Sequence, residues 1–93
     1  MIEITVDLLG IARRLAGTRE LSLEFEDNAT HRDVLHRLAD LFPAFLGTII
    51  DPQSFELTPA FMINLNGHRA ISDFYTPVVS GERLVLMFVE SGG

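Results

Sequence analysis

The stretch Arg83-Leu84-Val85-Leu86-Met87-Phe88-Val89-Glu90-Ser91-Gly92-Gly93 decides how this chain is read. It is apolar without interruption from Leu84 to Val89, and the turn residues Ser80-Gly81-Glu82 precede it. A short apolar run bounded by turn residues predicts a strand buried on both faces, and so a strand in the middle of a sheet. Leu84, Leu86 and Phe88 fall on one face, Val85, Met87 and Val89 on the other. Gly92 and Gly93 follow after two residues. Glycine loses more backbone entropy on ordering than any other residue, so a pair of them is a poor choice for stability. Backbone without Cβ is slim, however. It can thread a narrow channel in a partner and set a carboxylate against a reactant. That makes Gly92 and Gly93 the candidate reactive group.

Upstream, Phe61, Ile63 and Leu65 alternate with Met62, Asn64 and Asn66, which predicts a strand. Asn66-Gly67 is a strong hairpin signal, so a brief return strand over His68 to Ile71 is expected. At the N-terminus, Ile2, Ile4, Val6 and Leu8 alternate with Glu3, Thr5 and Asp7, and Leu21, Leu23 and Phe25 alternate with Ser22, Glu24 and Glu26. Two more half-buried strands follow from that period. Ile11 to Ala16 reads as a short helix stopped by Gly17. Thr30 is a good N-cap with Asp33 three residues on, and Val34, Leu35, Leu38, Leu41, Phe42 and Phe45 form one apolar stripe. Pro43 disfavours helix beyond Phe42. Residues 47–59 are irregular, and a turn of helix or 3₁₀ is expected around Thr48 to Asp51.

Strand, strand, main helix, strand, short strand, strand is an α+β order. One helix covers one face of the sheet, and the doubly apolar last strand lies at its centre beside the first. The expected fold is therefore a β-grasp: a mixed sheet of four to five strands wrapped on one main helix. Residues 1–93 are expected to form a single domain with a tail over about 90–93.

Composition narrows the function. The chain has 93 residues and a net charge of −6. An acidic balance argues against nucleic acid, which selects basic patches, and suits a basic partner surface. There is no Cys, hence no thiolate nucleophile and no Cys-based metal site. All seven cationic side chains are Arg, which GC-rich coding explains and which also means that no lysine offers an amine to an activated carboxyl. A strand beginning at Ile2 leaves no room for a signal peptide, and no apolar run nears the roughly 18 residues that cross a bilayer. The expectation is a cytoplasmic protein with no membrane partner.

The side chains offer no catalytic constellation. His31 and His36 stand about 140° apart on a helix, so they share no face, and His68 lies in a hairpin; no metal site is expected. There is no phosphate loop and no Ser beside a base. The weight shifts to the terminal carboxyl and to the sheet face opposite the helix. On that face Val85, Met87 and Val89, joined by Met62, form a candidate partner surface. Packing against the 47–59 connection is the alternative for these residues.

The chain resembles the MoaD/ThiS family of ubiquitin-like sulfur carriers, and within it the small subunit of molybdopterin synthase. The likeness runs the full length. It rests on the short helix ending Leu15-Ala16-Gly17-Thr18, the Asn66-Gly67 turn, the Gly81-Glu82 turn that opens the last strand, and the final Ser91-Gly92-Gly93. The family often carries prolines before Gly-Gly; here Met87 to Ser91 has none. The resemblance implies a non-catalytic carrier that binds no cofactor. An ATP-dependent MoeB/ThiF-like enzyme would adenylate the Gly93 carboxylate, with Gly92 in the channel. A sulfur donor protein would then convert it to a thiocarboxylate. A MoaE-like large subunit would pass the sulfur to a pterin precursor. Partner contacts are expected at Met62, Val85, Met87, Phe88, Val89 and Ser91. A carrier for thiamine thiazole or another sulfur metabolite, a protein modifier, and a non-catalytic interaction module are the alternatives.

Overall fold

The N-terminal alternation builds β1 (Ile2–Leu8), which buries Ile2, Ile4, Val6 and Leu8 and turns Glu3, Thr5 and Asp7 the other way. In the computed structural model, which describes residues 1–89, β1 pairs antiparallel with β2 (Glu20–Phe25) and parallel with β5 (Arg83–Phe88). β3 (Phe61–Leu65) closes on the other side of β5, and β4 (Arg69–Ala70) forms the edge. The strand order β2-β1-β5-β3-β4 puts the most apolar strand at the centre, as its two apolar faces predict. The fold is a ubiquitin-like β-grasp.

α1 (Ile11–Ala16) follows β1 and ends at Gly17, whose φ of 74° suits a residue without Cβ. α2 (His31–Leu41) starts at the expected cap: the Thr30 N–H donates to Asp33 Oδ2 at 2.7 Å. Val34, Leu35, Leu38 and Ala39 enter one hydrophobic cluster with Ile4, Val6, Leu84 and Leu86. Each fully buried aliphatic side chain there contributes roughly 1.5–3 kcal/mol.

Four local expectations are corrected. Leu41, placed in the apolar stripe, is 47% exposed, because the buried arc of α2 has closed at Leu38 and Ala39. The 3₁₀ turn sits at Pro43–Phe45 rather than at Thr48 to Asp51; Pro43 starts it, with the ring's fixed φ suited to a first position. The return strand is two residues long, not four. Phe88 does not join Leu84 and Leu86 in the core: they are 0% exposed and it is 56% exposed.

The connection 47–60 is ordered by tertiary contact. The Phe45 carbonyl accepts from the Ile49 and Ile50 N–H groups at 2.8 and 2.9 Å, and both isoleucines are fully buried. Phe55 adopts φ 58°, uncommon for an aromatic residue, and its ring stacks on His36 of α2 at 4.4 Å. Ile49 and Ile50 of this segment enter the core cluster, and Phe55 and Leu57 pack against it.

Candidate functional site

β5 organises the site. Its core side carries Leu84 and Leu86, and its other side carries Val85 and Met87, both half-buried. Register places Met62 opposite Met87 and Asn64 opposite Val85, so the two methionines and Val85 form a contiguous apolar strip. Cross-strand neighbours shield part of each side chain, and every position on this outward face of β1 and β5 is exposed or half-buried. Phe88, at the end of β5, meets Phe61 edge-on with centroids 5.7 Å apart, which leaves much of its ring open. Val89 is half-buried, and its N–H donates to the Ala60 carbonyl at 2.7 Å. The chain is thus tied to the sheet as far as Val89. Ser91, Gly92 and Gly93 lie outside the described residues.

Charge flanks the strip. Glu3 faces Glu24 and Asp7 faces Glu20 across β1 and β2. Like charges directly opposite are unfavourable unless compensated. Arg83 compensates one pair by bridging to Asp7 and, at 3.4 Å, to Glu20. The hydrogen bond and charge of Asp7 push the Arg83 guanidinium above its already high value. Glu3 and Glu24 have no such bridge among the described residues, but they lie level with Gly81, four residues along β1 from the strip, whose own neighbour Asp7 is paired with Arg83.

Two features escaped sequence reasoning. Asn64 Oδ1 is buried without a hydrogen-bond partner, beside the apolar strip. Its pattern position announced only an outward polar residue. His31 and Glu82 are buried together, 3.1 Å apart, although they are distant in sequence. Neither sits among a third metal-ligating group, and no cluster of three His, Asp or Glu side chains is present among the described residues. No helix among those residues is long and apolar enough to cross a membrane.

Solved structures share this architecture over essentially the whole chain. The small archaeal modifier protein 1 of Methanosarcina acetivorans is 30% identical, with 100% of this chain and 98% of that one covered and a TM-score of 0.78. SAMP1 of Haloferax volcanii is 24% identical, with 98% and 99% covered and a TM-score of 0.82. Molybdopterin converting factor, subunit 1, of Pyrococcus furiosus is 19% identical, with 97% and 100% covered and a TM-score of 0.76. No protein-family model and no curated protein sequence matches the chain. The fold and its β5-centred face define a small ubiquitin-like protein. The chain belongs to the MoaD/ThiS family of ubiquitin-like sulfur carriers and modifiers.

Proposed function

We propose that this chain is a sulfur carrier whose reactive group is the main-chain carboxylate of Gly93. One observation carries the reading: the central strand leads directly into residues 90–93, beside an outward apolar strip made by Met62, Val85 and Met87. A carboxylate is a poor acyl electrophile because its leaving group is oxide. Attack of the Gly93 carboxylate on the α-phosphorus of ATP releases pyrophosphate and leaves an acyl adenylate. The outer sulfur of a donor protein's persulfide then attacks the acyl carbon and AMP departs. A second thiol attacks the donor-side sulfur of the resulting acyl disulfide, the S–S bond breaks, and a thiocarboxylate leaves while the donor's cysteine is carried off in a disulfide. The adenylating enzyme, MoeB/ThiF-like, supplies the ATP chemistry; the carrier binds no cofactor and contributes no catalytic side chain. The acceptor we favour is a pterin precursor held by a MoaE-like large subunit, as in molybdopterin synthesis. Ordering the tail costs roughly 1–2 kcal/mol per residue, so affinity comes from the sheet face.

Intact mass after incubation with ATP, an adenylating enzyme and a sulfur donor tests this. The expected gain is the mass of one sulfur less one oxygen, abolished by removing Gly92 and Gly93 with the melting temperature unchanged. A tail-deleted chain that still gains sulfur would place the reactive group elsewhere.

The 30% identity to a small archaeal modifier protein favours a second reading, in which the activated carboxyl is joined to lysines of other proteins. Amide-linked conjugates in a lysate, absent with the tail-deleted chain, would support it. With no lysine of its own, the chain would then be attached singly through side-chain amines rather than built into lysine-linked polymers.

A further inference from the structure

The segment from Leu8 to Arg19 holds three arginines and no carboxylate, in a chain whose net charge is −6. Its place in the fold is specific. The Leu8 N–H donates to the Arg19 carbonyl at 2.8 Å, and the Leu9 N–H to the Leu86 carbonyl at 3.1 Å. Because β1 and β5 run parallel, these bonds set the segment at the end of the sheet where β5 finishes. An open groove there is lined by Asp7, Leu9, Arg13, Arg19, Glu20 and Arg83. Its two carboxylates are both engaged by Arg83. Arg13 spends its Nε–H on the Leu8 carbonyl at 3.1 Å. Both Arg13 and Arg19 are exposed, and neither forms an ion pair among the described residues. The groove continues into the apolar strip, since Asp7 is in register with Val85.

We infer that this groove receives an acidic segment of the enzyme that adenylates Gly93, an inference that rests on the carrier reading above. The charge pattern argues for that occupant. Three of the chain's seven arginines stand in this carboxylate-free segment, so it draws a carboxylate-rich surface to the side of the strand that leads to the reactive end. Complementary charge of this kind fixes orientation and speeds encounter more than it adds affinity. The groove thus aligns the carrier so that its tail enters the partner in a single direction.

Steady-state activation of the full chain by its adenylating enzyme, read as thiocarboxylate by intact mass, is the test. Arg13→Glu and Arg19→Glu are each expected to raise KM for the carrier about fivefold or more, with kcat unchanged and with a shallower dependence of kcat/KM on salt. Arg69→Glu makes the same charge change on the edge strand β4, away from the groove, and is expected to leave KM as it is. If Arg13→Glu lowers the melting temperature through its lost bond to Leu8, Arg19→Glu carries the test, since its side chain makes no hydrogen bond among the described residues. Activation of the wild type with an unchanged KM for Arg19→Glu overturns this inference alone. A fall in kcat at constant KM overturns it too, by placing the arginines at the reacting phosphates. A wild-type chain that gains no sulfur overturns the carrier reading, and the inference with it.

Discussion

His31 Nε2 lies 3.1 Å from Glu82 Oε1, and both side chains are buried. The bond ties the first residue of α2 to the turn that opens β5. The other ring nitrogen, Nδ1, is 2.9 Å from the Thr76 carbonyl oxygen, which can only accept, so Nδ1 donates there. The Thr76 hydroxyl, donating to the Asp73 carbonyl, is also 2.9 Å from Nδ1. Glu82 Oε1 accepts the Val79 N–H at 2.9 Å as well. One polar cluster thus joins the helix, the 72–80 connection and the central strand.

Glu82→Ala leaves the His31 Nε2 and the Val79 N–H buried without their partner. Breaking a buried, hydrogen-bonded pair from one side costs about 3 kcal/mol. Urea unfolding is expected to show that loss, and a His31/Glu82 double-mutant cycle a coupling above about 1 kcal/mol. Additive single effects would mean that the pair is a contact without energetic consequence.

The two sides of β5 should respond differently. Leu86→Ala empties a fully buried site and is expected to cost about 3 kcal/mol. Met87→Asp acts on the half-buried outward face. It is expected to weaken binding of the activating enzyme while lowering stability by less than Leu86→Ala does. Calorimetry on both variants checks the order, and a larger loss for Met87→Asp would make Met87 core.

Asp51 Oδ1 accepts the N–H groups of Gln53 and Ser54 at 2.8 and 3.0 Å. The Ser54 bond first, then that of Gln53, lowers the Asp51 pKa from its ordinary value of 3.8. A carboxyl depressed in the folded state stabilises fully above its unfolded value and loses that contribution as pH falls through the folded one. Asp51→Asn is therefore expected to be less stable than wild type at neutral pH, with the gap narrowing as pH drops below about 3.8. Melting curves from neutral pH downward decide it; a gap that is constant or widens toward acid reverses the sign.

Asn66 has a second role beyond its turn. It adopts φ 55° before Gly67 at 76°, as a tight hairpin needs, and its Oδ1 accepts the Arg83 N–H at 2.8 Å. Asn66→Gly keeps the turn and loses the bond, at a cost of about 0.5–1 kcal/mol. Asn66→Ala loses both and is expected to be worse by about 1 kcal/mol. Equal losses on denaturant unfolding would mean that the left-handed conformation adds nothing.

Local pattern was enough to read the strands, the cap at Thr30, the tight turn at Asn66-Gly67 and the central place of β5, because a period of two, a capping box and a doubly apolar run are each stated within a few residues. The expectation that Gly92-Gly93 is the reactive group rests on residue type alone and lies outside the described residues. Leu41, Phe88 and the 47–60 connection could not be read in this way. Whether an apolar residue is buried depends on what stands opposite it, and local periodicity is blind to that. The His31–Glu82 pair and the Arg13–Arg19 groove belong to the same class. Each needs residues from distant segments to be packed together, and only the assembled sheet, with β1 and β5 lying parallel, brings them into contact.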